Sequence, residues 1–149
     1  MKDRFVYDPG AEYARIGIGV EGSAWRLDAE SNAHHLLCQS YPCVLAVPKA
    51  ATTGQVAAGG RLRSRGRLPV ACWVHSCSGA ALIRCAQPRA GLFPTDMSDD
   101  LAWVGLLLAC KGRGPLELVD ARSFVAAIEQ RVGPEPFIDI TFSDDAAYH

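Results

Sequence analysis

Two apolar, β-rich runs at residues 68–75 and 80–85 flank Ser76-Cys77-Ser78-Gly79. Runs of that kind, split by four small or polar residues ending in glycine, turn back on themselves as a hairpin. No other feature restricts the fold as strongly. A β-hairpin near 68–85 must be covered by whatever apolar surface the rest of the chain provides.

Upstream, Asp8-Pro9-Gly10-Ala11-Glu12-Tyr13 has the order of a helix start, with Asp8 as the cap, Pro9 in the first turn and Gly17 as the stop. Residues 18–37 are polar and aperiodic and read as a connector. An apolar run at 43–47 between Pro42 and Pro48 predicts a strand. Thr52 or Thr53 predicts a brief helix failing near Gly59-Gly60. Ser98-Asp99-Asp100 opens a helix with acids at its positive end, and Leu101, Val104, Leu107 and Leu108 share a face. Gly112 and Gly114 end it and Pro115 prevents its resumption. A strand at 116–119, a helix at 123–131 and a strand at 137–142 follow, an alternation that favours an α/β sheet. The 149 residues suit about one domain, with no internal repeat. The most hydrophobic stretch, 101–110, is half of what a bilayer needs and reads as a buried helix. Met1-Lys2-Asp3-Arg4 has no apolar run behind it, so no secretory signal is expected.

A net charge of −1 argues against a general nucleic-acid binder. Without a secretion signal, the six cysteines are expected to be free and mostly buried. Around the hairpin, WVHSCSGAALIR approaches the loop of a cysteine phosphatase, in which a thiolate attacks phosphorus while amides and an arginine hold its oxygens. That loop needs five residues between cysteine and arginine; Cys77 and Arg84 are separated by six. None of the other cysteines has an arginine at the sixth following position. A hairpin turn is the better reading. Gly17-Ile18-Gly19-Val20-Glu21-Gly22 matches a dinucleotide pattern but lacks a strand before it and a helix after it, so it reads as a turn. His34, His35, Cys38 and Cys43 carry zinc-type donors without the paired spacing of a structural zinc site. Glu12, Glu117 and Asp120 form no recognisable paired-carboxylate arrangement. Arg61, Arg63, Arg65 and Arg67 would form a row on one side of an extended segment, facing phosphates, an acidic partner or simply solvent and internal salt bridges.

Taken in order, YDPGAEYARIGI with WRL, LCQSYPCVLAVP, RLRSRGRLPVACWVH, LIRCAQPRAG, SDDLAWVGLLLAC and LELVDAR resemble the myotubularin family of phosphoinositide 3-phosphatases over residues 7–122. RCAQP followed by DAR is the most specific part. The resemblance marks Trp73, His75, Arg84, Cys85, Gln87, Pro88, Asp120 and Arg122 as signature residues with structural roles. It places Cys77 in a variable turn.

The resemblance implies an α/β fold, a partial cysteine-phosphatase-like mixed sheet with flanking helices. Residues 1–36 would be a connector like the one that follows a PH-GRAM domain, and 37–149 the N-terminal portion of a phosphatase domain without its catalytic half. In the family, the reaction removes the 3-phosphate from phosphatidylinositol 3-phosphate or the 3,5-bisphosphate through a phosphocysteine, with no metal and no cofactor. No catalytic residue carries over, and the chain is expected to be inactive alone. After DAR, SFVAAIEQRVGPEPF has neither the asparagines nor the turn that the family shows there. Two alternatives accompany this expectation: a pseudophosphatase-like module that binds active family members, or an incomplete gene product. The implied partners are phosphoinositide membranes, reached through a complete family member, and myotubularin relatives in homo- or hetero-oligomers. No nucleic acid is expected. The implied location is cytoplasmic, peripheral on endosomal membranes.

Overall fold

The computed structural model describes residues 7–89 and 98–110, with single positions 112, 115 and 117. All its elements lie in the unit Met1–Gly112; a second unit, Arg113–His149, has only Pro115 and Glu117 among the described residues. The predicted strands at 116–119 and 137–142, the helix at 123–131 and Gly114 otherwise lie outside them.

Helix α1 (Pro9–Arg15) forms where its cap predicts: the Asp8 carboxylate accepts from the amides of Gly10 at 2.9 Å and Ala11 at 3.2 Å. Gly17, Gly19 and Gly22 then turn the chain at positive φ, confirming a turn in place of a dinucleotide loop. The supposed connector holds strand β1 (Trp25–Asp28), which pairs antiparallel with β2 (Leu45–Pro48), Trp25 opposite Pro48 and Asp28 opposite Leu45. The buried pair in β1 is Trp25 and Asp28, its two ends, so no two-residue alternation announces the strand. Asp28 is inside because its carboxylate closes the following turn, accepting from the amides of Glu30 at 3.0 Å and Ser31 at 2.9 Å.

Helix α2 (Thr53–Leu62) opens on a reciprocal cap: Gln55 N–H donates to Thr52 Oγ1 at 3.2 Å and Thr52 N–H to Gln55 Oε1 at 2.9 Å. The helix does not fail at Gly59-Gly60 but runs through both. These glycines serve close packing instead. A Cβ on Gly59 would lie 3.6 Å from the Trp103 ring, and one on Gly60 would stand 2.5 Å from Leu37 Cδ1.

The hairpin forms as predicted, β3 (Val70–Val74) antiparallel to β4 (Ala81–Arg84), with a register shift between Ala71 and Trp73. Among the described residues the sheets are two antiparallel pairs, β1–β2 and β3–β4, with β2 beside β3. Helix α3 (Ser98–Cys110) packs on α2, giving a mixed α/β arrangement. Its inward face is Asp100, Trp103, Leu107 and Cys110, whereas Leu101 is 62% exposed. The helix is therefore amphipathic, not wholly buried, and its real stripe includes a charged residue that an apolar count passes over. Trp103 sits at the centre, 1% exposed, its indole N–H donating to Pro69 O at 3.1 Å. Ile18, Trp25, Tyr41, Leu45, Val47, Val56 and Leu68 complete the same core.

Two further expectations are corrected. The arginine row does not exist, because Arg61 ends a helix, Arg63 is extended, and Arg65 turns at φ 55° inside a 3-10 turn at Ser64–Gly66. All six cysteines are free, but only Cys38 and Cys110 are buried.

Candidate functional site

The hairpin tip is closed by its own polar groups. His75 N–H donates to Ala80 O at 2.7 Å, and Gly79 N–H to His75 O at 2.9 Å. The imidazole Nδ1 of His75 accepts the Ser78 amide at 3.2 Å and lies 2.9 Å from Ser78 Oγ. Ser78 Oγ in turn accepts the Ala80 amide at 3.3 Å. The three amides after Ser76-Cys77 are thus all consumed within the turn. A phosphate loop needs such amides free and convergent on an anion. Cys77 itself is exposed, with Ser76 Oγ 3.8 Å from its sulfur. The Trp73 ring stands 5.7 Å from His75 at a tilt, on the outer face of the hairpin.

Arg84 lies at the opposite end of the hairpin, paired with Val70, so strand spacing puts it about 13 Å from Ala80 at the edge of the tip. Its guanidinium sits over the Tyr41 ring, 5.7 Å from the centroid, and its carbonyl accepts the Tyr41 hydroxyl at 3.0 Å. Burial pushes the Tyr41 hydroxyl pKa well above its usual range, against the opposing Arg84 charge, so it remains a donor.

The residues around RCAQP form a polar node. Ala86 N–H donates to Arg67 O at 3.0 Å, Ser64 N–H to Gln87 O at 3.1 Å, and Pro88 bridges Arg63 in antiparallel fashion. Arg63, 7% exposed, grips Asp100 with a two-pronged ion pair, Nε to Oδ1 at 2.7 Å and Nη2 to Oδ2 at 2.8 Å. Its third nitrogen donates to Ala86 O at 2.9 Å. Each nitrogen of this guanidinium has a protein partner, and the group is buried against Asp100 instead of being presented to a phosphate. Arg67 donates to Ser40 Oγ at 2.8 Å, while Arg61 and Arg65 face solvent. Sequence reasoning missed Asp100 as a partner. Its place three residues before Trp103 and seven before Leu107 was the available signal.

Cys85 is exposed as a residue, yet the protein around it desolvates the thiol and raises its pKa; Arg63 opposes this and Asp100 adds to it. Cys72 and Cys110 are likewise raised, chiefly by desolvation. Thiols held protonated at neutral pH are poor nucleophiles. An open cleft of about 420 Å³ between the 17–25 turn, the hairpin tip and the end of α3 contains Glu21, His75 and Cys110. His75 Nδ1 is committed to its turn and Cys110 donates to Ala24 O at 3.3 Å. Among the described residues, no group of three His, Cys, Asp or Glu side chains is placed to hold a metal ion. Asp120 and Arg122 lie outside the described residues.

A family model described as the myotubularin-like phosphatase domain matches residues 1–140. Phosphatidylinositol-3,5-bisphosphate 3-phosphatase MTMR2 of Gallus gallus is 35% identical over 85% of this chain and 22% of its own length. Myotubularin of Rattus norvegicus is 32% identical over 85% of this chain and 21% of its own. MTMR8 of Homo sapiens, also named a phosphatidylinositol-3,5-bisphosphate 3-phosphatase, is 29% identical over 85% of this chain and 18% of its own. The chain spans about a fifth of the length of these relatives, and it belongs to the myotubularin-like phosphatase domain family.

Proposed function

We propose that these 149 residues form the N-terminal scaffold of a myotubularin-type phosphatase domain and turn over no phosphoinositide by themselves. On this reading, residues 1–36 lead in from a PH-GRAM-type domain while lending β1 to β2, and 37–149 continue as the N-terminal portion of the phosphatase domain. A whole protein built on the scaffold would remove the 3-phosphate from phosphatidylinositol 3,5-bisphosphate, the substrate in the relatives' names, or from phosphatidylinositol 3-phosphate. Such a protein would work in the cytoplasm, peripherally on endosomal membranes. No helix among the described residues is long and apolar enough to cross one.

The observation that carries the reading is the hairpin tip. Ser78, Gly79 and Ala80 spend their amides inside the turn, so these three are not turned toward a phosphate in the stretch most like a phosphate loop. The test is phosphate release from short-chain phosphatidylinositol 3-phosphate by the purified chain. The expected rate equals the blank, with and without Cys77→Ser. Turnover abolished by Cys77→Ser would overturn the reading.

A second reading, association with an active family member, loses the arginine row but gains an apolar pair. Trp73, 45% exposed, and Leu82, 64% exposed, lie opposite each other on β3 and β4. Trp73→Ser with Leu82→Ser should then abolish co-elution with a full-length relative. Failure of the unsubstituted chain to co-elute removes this reading.

A further inference from the structure

Outside the hairpin and the Arg63 node, one thiol faces an imidazole. Cys43 Sγ lies 3.3 Å from His35 Nε2, and His35 Nδ1 lies 2.9 Å from Tyr41 O. A carbonyl can only accept, so Nδ1 carries the proton. In the neutral ring Nε2 is then a lone pair, aimed at the Cys43 thiol. This is the arrangement that activates a nucleophile: thiol, base, and a third group fixing the base's tautomer and direction.

The geometry is built from inside the protein. Asn32, fully buried, accepts the amides of Leu37 at 3.1 Å and Cys38 at 2.8 Å through Oδ1. Its Nδ2 donates towards Cys38 O at 3.1 Å, Tyr41 O at 3.4 Å and Pro42 O at 2.8 Å. One buried amide thus braces both ends of the 32–42 loop, including the carbonyl that orients His35. Cys43 is half-buried at the mouth of this loop and His35 is exposed, so a small reagent can reach the sulfur.

We propose that Cys43 and His35 form an activated thiol site that undergoes thiol–disulfide exchange with a small-molecule disulfide. The Cys43 proton moves to His35 Nε2. The thiolate attacks one sulfur of the disulfide, a new S–S bond forms to Cys43, and the old one breaks. The leaving thiolate takes the proton from the imidazolium. The sum is one protein thiol and one disulfide giving one mixed disulfide and one small thiol. Cys72, Cys85 and Cys110, with raised pKa values, compete poorly, and Cys77 provides an exposed thiol without an imidazole partner.

The test exposes the chain briefly to oxidised glutathione near neutral pH and maps the adducts by mass spectrometry. Cys43 should acquire glutathione at least about tenfold faster than Cys77, a modest share of what a positioned base can contribute. His35→Gln should cut the Cys43 rate by about tenfold and leave the Cys77 rate unchanged. In urea the Cys43-to-Cys77 ratio of the unsubstituted chain should fall to about one, a control that does not depend on the variant folding. Cys77 reacting as fast as Cys43 in the native chain, or a ratio unchanged by urea, overturns the proposal. So does a folded His35→Gln chain with an unchanged ratio.

Discussion

At the hairpin tip, the polar groups of residues 75–80 satisfy one another locally; at the Arg63–Asp100 node the partners lie 37 residues apart in sequence. The tip is exposed, whereas Arg63 and Asp100 are buried. Both contain residues that the resemblance marks, and the two are expected to fail differently when altered. A turn that closes on itself can lose a side chain and still find water. A buried guanidinium that loses its carboxylate has nowhere to turn.

The sharpest way to break this contrast is Asp100→Ala. It strands Arg63 in the interior and should cost about 3–5 kcal/mol in denaturant unfolding, enough to threaten the fold. A loss below about 1 kcal/mol would mean the node anchors nothing. Next come two glycines with similar torsions, Gly66 at φ 69° and Gly79 at φ 72°. A Cβ on Gly66 would strike the Leu37 carbonyl, whereas one on Gly79 would meet only Gly112 Cα at 3.5 Å. Gly66→Ala should therefore cost about 2–3 kcal/mol and Gly79→Ala about 1 kcal/mol in the same assay. Equal losses would dissolve the distinction between node and tip.

Asp28→Asn gives a smaller effect with a pH signature. Burial alone would raise this carboxyl, but the backbone and side-chain hydrogen bonds from Ser31, the Glu30 amide and nearby Arg26 outweigh it and hold the pKa below 3.8. A depressed folded value means the carboxylate's contribution is complete above the ordinary value and is lost as pH falls through the folded one. Asp28→Asn should cost about 1 kcal/mol near neutrality and flatten the decline in melting temperature below about pH 4. Smallest of all, Cys77→Ser should change stability by less than about 0.5 kcal/mol. A larger loss would show that the tip supports the core.

The same contrast explains what could be read from the sequence. The helix caps at Asp8 and Thr52 and the turn at 76–79 were legible because their partners are two to four residues away. That Cys77 and Arg84 miss the five-residue spacing of a phosphate loop needed only a count of residues. The Arg63–Asp100 pair and the Asn32 brace were not legible, because each depends on where distant backbone arrives in space. The glycines of α2 misled for a related reason: their intrinsic cost in a helix is visible, whereas the Trp103 and Leu37 surfaces that require them are not. Strand β1 was missed because its buried residues break the alternation on which strand reading relies.

Helix α3 brings Asp100 to Arg63 and Trp103 to Pro69 and Gly59, and among the described residues it is the last element in order. During synthesis, residues 7–89 therefore leave the ribosome before the parts that neutralise and cap their interior. Until residue 110 has emerged, a guanidinium waits without its carboxylate and α2 shows water the groove meant for an indole. The interior of residues 7–89 is therefore completed only once α3 is available, and slow decoding between residues 90 and 110 would lengthen that interval.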